Sequence, residues 1–191
     1  LWVVWVGFAQ DTFDDFGTVG NAGGNGGGNG SGGNGQLGLC ADPATWISAI
    51  QGTQSGSPLV GESHVIEAIV SASFEGLDGF FAQQAAQDYD ADPNTSEGIF
   101  VSYQGLGALP AAGDVVRVIG TVEESFDKTR LVATESYLAC GQDQVVATSI
   151  SLPLPQGLDL ESLEGMLVTS NQLVTLSDVD NYARFGEVVL S

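Results

Sequence analysis

The sequence predicts an all-β protein, a small barrel or sandwich of short strands with a single short helix. Two observations lead there. Five or six short β-branched and aromatic runs are separated by Gly, Ser, Asn and Pro turns, and apolar residues recur with period two rather than 3.6. A third narrows the architecture: Gly120 interrupts the best of these runs, as in the bent strand of a tightly curled barrel.

Taken in order, residues 1–16 open with Leu1, Trp2, Val3, Val4, Trp5, Val6 and Phe8, an extended apolar strand with an acidic flank at Asp11, Asp14 and Asp15. The run lacks the positive flank of a signal peptide, so the sequence reads as already processed. Residues 17–38 are a Gly/Asn-rich tether, with ten glycines among the sixteen residues from Gly20 to Gly35. Asp42 followed by Pro43 predicts a capped helix over Ala44–Ile50. Strands are predicted at Val65–Ala72, Phe80–Gln83, Ile99–Tyr103, Val115–Val122, Leu131–Thr134 and Val145–Ile150. In the fourth of these, Val116, Val118, Gly120 and Val122 share one face. Pro153 and Pro155 then mark a boundary between a barrel domain (39–152) and a C-terminal β segment (153–191). That segment offers a turn of helix at Leu158–Leu163 and strands at Met166–Thr169, Leu173–Leu176 and Glu187–Leu190. Three such strands form an incomplete sheet with an exposed edge.

Charge bounds the partners. The 24 carboxylates outnumber four cations, Arg117, Lys128, Arg130 and Arg184, for a net charge of −20. Polyanions are held by clustered Lys and Arg, so the charge disfavours DNA as a partner. No run approaches the roughly 20 apolar residues of a membrane span, and no membrane partner is expected. Cys40 and Cys140 are expected to form a disulfide, since an acidic, nearly Lys-free chain reads as an exported, extracellular one.

Catalysis finds little purchase. His64 is the only histidine, beside a strand start and without an evident nucleophile. The Gly/Asn tract has no Lys-Ser/Thr ending and is no phosphate loop. No organic cofactor and no enzymatic activity are expected. The sharpest local pattern is Asp88, Asp90, Asp92, Asn94 and Glu97, oxygen donors at positions 1, 3, 5, 7 and 10 of one loop. Alternating donors of this kind point to calcium, although Pro93 stands where an EF-hand has its turn glycine and the Glu falls two residues early. Phe80, Phe81, Tyr103 and Phe126 are candidates for stacking on bases.

Several motifs resemble one family. They are Ile50-Gln51-Gly52 with Ser57-Pro58-Leu59, Gly79-Phe80-Phe81-Ala82-Gln83 leading to Thr95–Val101, Gly113–Glu124, Leu163-Glu164-Gly165-Met166, and Arg184–Ser191. In this order they are similar to the region upstream of the catalytic domain in secreted bacterial nucleases of the ExeM/NucH type, from about residue 39 to 191. The resemblance implies an OB-like barrel and a nucleic-acid-associated accessory role. The nuclease domain itself is not in this sequence.

Two functions are therefore weighed. One is a non-catalytic extracellular structural subunit that assembles into filaments with other copies of itself, donating residues 1–8 to a neighbour's open edge. Its tether spans about 20–24 Å as a coil and roughly 55 Å extended. The other is the accessory OB-fold domain of a secreted nuclease.

Overall fold

The computed structural model describes residues 36–156, 159–173, 175–179 and 189–190. Residues 1–35, including the predicted donor strand and most of the tether, lie outside the described residues.

The strands are β1 (Ser63–Phe74), β2 (Gly79–Gln83), β3 (Gly98–Ser102), β4 (Asp114–Glu124), β5 (Thr129–Ala133), β6 (Leu138–Gln142), β7 (Thr148–Ser149), β8 (Val168–Thr169), β9 (Leu176–Asp178) and β10 (Val189–Leu190). The first five close into a barrel. Their order is β1-β2-β3-β5-β4, and β4 pairs back onto β1 with Ile66 opposite Val118. All of these pairs are antiparallel except β3 with β5, where Phe100 lies opposite Arg130. This is the Greek-key closure of an OB-like barrel.

Period-two alternation fills the interior. Ile66, Val70, Phe80, Ile99, Val101, Val116, Val118, Val122 and Leu131 are all at 0% exposure and form one core cluster. At Gly120 a Cβ would lie 2.5 Å from the Val132 carbonyl oxygen, so only glycine lets β4 bend against β5. The curled-barrel expectation therefore holds at that residue.

One helix, α1 (Ile47–Gln51), adds Ile47 and Ile50 to the core. It starts later than the Asp-Pro signal predicts. The Asp42 and Pro43 carbonyls both accept from the Arg117 guanidinium, at 2.8 and 2.9 Å, and Asp42 Oδ2 accepts the Leu39 N–H at 2.8 Å. The chain is thereby held until Trp46, the actual N-cap position, whose side chain caps nothing. Asp42 is not the helix cap.

Beyond the barrel, β6 adds to β4 beside β5, and β7 pairs in parallel with β8 through Thr148 opposite Val168. The β7–β8 ladder joins residues on either side of Pro153. The short 3-10 helix Leu160–Leu163 and the turn after it lie directly on the barrel: a Cβ on Gly98 would overlap the Gly165 carbonyl carbon. Among the described residues, no helix is long and apolar enough to cross a membrane.

Candidate functional site

The outer face of β2, β3 and β5 carries the residues that the interior leaves out. Alternation sends Phe81 and Gln83 outward from β2, Gly98 and Phe100 from β3, and Arg130 from β5. Registers then line them up, Phe81 opposite Phe100 and Gln83 opposite Gly98. The face divides in two.

The Gln83–Gly98 half is covered by the chain itself. Leu167 donates its N–H to Gln83 Oε1 at 2.8 Å, and Ser96 Oγ donates to the Glu164 carbonyl at 2.6 Å. Gln83 is fully buried, and its Nε2 donates to the Tyr89 hydroxyl and the Val146 carbonyl at 2.6 and 3.1 Å. A single amide thus ties β2 to the acidic loop and to the chain on both sides of Pro153, which satisfies a polar group that would otherwise be costly to bury.

The other half carries an aromatic strip. Phe74, Phe81 and Phe100 follow one another with ring centroids 6.0 and 5.0 Å apart, and Lys128 Nζ sits 5.0 Å over the Phe100 ring. Burial pushes Lys128 below the ordinary lysine range, with Glu164 pulling the other way. Arg130 pairs with Glu123 at 2.9 Å on the same face. Within the strip Phe100 is 6% exposed beneath Lys128, leaving Phe74 and Phe81 as its half-buried rings, whereas Phe80 and Tyr103, at 0% and 3% exposure in the core, cannot stack on a base. Phe126 is fully exposed at the tip of the β4–β5 hairpin. That tip is strained, since Phe126 and Asp127 both have positive φ, +54° and +56°, where tight hairpins prefer Asn-Gly.

Cys40 and Cys140 form the expected disulfide, a bridge that suits an oxidising compartment. Next to it, Arg117 is 2% exposed and donates to the carbonyls of Leu37, Asp42 and Pro43 while pairing with Glu67 at 3.1 Å. Sequence reasoning counted Arg117 as a charge and missed its role. The signal was a lone arginine within a strand of valines and isoleucines. His64 sits at the start of β1 between Thr45 Oγ1 and Glu62, at 3.1 and 3.2 Å.

In the acidic loop the donors serve the loop. Asp90 Oδ1 accepts the Asp92 N–H at 2.8 Å, and both Asp90 oxygens lie 3.0 Å from the Thr95 hydroxyl. Asp92 Oδ1 accepts from the Asn94 backbone and side chain, both at 2.9 Å. Asp88 ends a 3-10 turn, and Glu97 Oε1 accepts the Asp90 N–H at 2.9 Å. Among the described residues, no three His, Cys, Asp or Glu side chains converge as a metal site would require. Burial pushes Glu97 above the usual carboxylate range against the lowering effect of the Asp90 N–H, with the charges of Asp90 and Asp88 adding to the rise.

Compared with protein-family models, curated proteins and solved structures, the chain matches none of them.

Proposed function

We propose that the chain is the non-catalytic OB-type module of an exported, extracellular bacterial protein of the nuclease kind its sequence resembles. In this reading the open half of the β2–β3–β5 face holds single-stranded nucleic acid weakly, by stacking. The observation that carries it is the half-buried Phe74–Phe81 pair, backed by Phe100 with Lys128 over it, on the face where OB-folds take extended ligands. Two of the four cations, Lys128 and Arg130, stand on that face in a chain of net charge −20. Two phosphate contacts imply a shallow salt dependence, a log–log slope of about −1.4 for a single strand. Fluorescence anisotropy with a labelled oligothymidylate tests it. Affinity should fall roughly 25-fold between 20 and 200 mM salt and be lost in Phe81→Ala. Undetectable binding at low salt, or binding indifferent to Phe81, would refute the reading.

A second reading is self-assembly by donation of residues 1–8. One specific observation favours it: β6 is the edge of the sheet and carries Cys140, whose bridge to Cys40 brings the base of the tether to that edge. Deleting residues 1–16 and following sedimentation decides it, because an assembly that survives the deletion does not use the strand.

A further inference from the structure

Between the acidic loop and the C-terminal segment lies a cleft of about 430 Å³, within the size range of small-molecule sites. Its two walls differ in chemistry. One is mainly apolar, supplied by Ile150, Leu163 and Met166 with Thr148, Ser149, Ser151 and Ser162 among them; the other carries Asp90, Asp92 and Glu97. Among the described residues, no Lys, Arg or His lines it.

Glu97 is the informative member. It is 5% exposed, and its Oε2 is buried without a hydrogen-bond partner among the described residues. A buried, unpaired carboxylate oxygen is unfavourable, and a donor from a ligand would relieve it. The Tyr89 hydroxyl accepts from Gln83 Nε2 at 2.6 Å, which fixes that side of the cleft before any ligand arrives. A hard divalent ion would need six to eight oxygens. Here both Asp90 oxygens and Asp92 Oδ1 already accept hydrogen bonds within the loop, and the facing wall offers mainly apolar side chains and hydroxyls rather than further carboxylates.

We propose that this cleft binds a small organic cation, an ammonium or guanidinium on an aliphatic stem. The charged end sits on Glu97 with Asp90 and Asp92 at the rim, and the stem lies along Leu163 and Met166. The site is separate from the aromatic strip and independent of the nucleic-acid reading.

The test titrates the whole chain with n-hexylammonium, n-hexanol, n-hexanoate and calcium chloride, followed by calorimetry and backbone amide shifts. Saturable binding of n-hexylammonium is expected, with shifts at Asp90, Glu97 and Leu163, and hexanol and hexanoate should not bind. Glu97→Gln keeps an acceptor for the Asp90 N–H and should weaken the amine at least about tenfold. Asp92→Asn should weaken it roughly twofold or more. Equal binding of hexanol, or saturable calcium binding without amine binding, overturns the proposal. If Glu97→Gln fails to fold, the wild-type shifts decide, and perturbation centred elsewhere overturns it.

Discussion

Glu164 Oε1 accepts the backbone N–H of Thr129 at 2.9 Å, joining the C-terminal segment to the first residue of β5. Burial, and then the neighbouring Glu161, raise Glu164 from an ordinary 4.5 to about 7, against the lowering effect of hydrogen bonds from Gln51 and Thr129. Between those two values the folded chain holds a proton that the unfolded chain has released. Stability from this group is therefore full below the unfolded value and lost as the pH rises through about 7. Allowing for solvent screening of a partly exposed carboxyl, we expect about 1–2 kcal/mol. Glu164→Gln keeps the acceptor and removes the titration. Its melting temperature should match the wild type near pH 5 and exceed it by roughly 3–8 °C near pH 8. Parallel pH profiles for the two proteins would refute this.

The Cys40–Cys140 bridge closes a loop over a sequence separation of 100. On the chain-entropy estimate its loss should remove about 4–5 kcal/mol. A Cys40→Ser/Cys140→Ser double variant, compared with wild type by urea denaturation, measures it. The oxidised protein should show no reactive thiol, folded or unfolded, until a reductant is added.

Arg117 should be intolerant of change. Removing it leaves the half-buried Glu67 carboxylate with only the Ala41 N–H and leaves three carbonyls without their donor, so Arg117→Ala should destabilise by about 3 kcal/mol. Arg117→Lys should recover only part, because a single ammonium cannot serve acceptors spread around a planar fork. Equilibrium denaturation of both variants settles the ranking.

Gly98→Ala should loosen one segment and spare the barrel. The added methyl meets Gly165 backbone rather than a flexible side chain, an overpacking worth about 1–3 kcal/mol. Amide exchange should quicken over residues 159–169 while β1 and β4 stay protected. Uniform acceleration throughout the protein would count against a separable segment.

Much of the barrel was legible because its strands are dense in Val, Ile and Phe. Val65–Ala72 and Val115–Val122 fall inside β1 and β4, and the valines assigned to one face of β4 are its buried ones. What hid was local sequence without propensity. The β6 strand reads Leu-Ala-Cys-Gly-Gln, poor strand formers held in place by β4 and the disulfide. Val145–Ile150 reads as a full strand, yet only Thr148–Ser149 pairs, because its partner β8 is itself two residues long. The buried amides of Gln83 and Gln51 and the carboxyl of Glu164 were illegible for another reason. Apart from Tyr89 beside Gln83, their partners lie 35 or more residues away in sequence, as with Glu164 to Thr129, Gln51 to Gly98 and Gln83 to Leu167.

The same bridge has a mechanical consequence. A pull applied through the tether enters the barrel at Cys40 and passes covalently to Cys140, so the load bypasses β1 to β5 altogether. The stretch between the cysteines, about 330–360 Å of contour if it could be drawn out, is shielded from extension while the bridge is intact. Under tension the oxidised protein should lengthen only outside that covalent loop, and a reductant should release the hidden length in a single additional step.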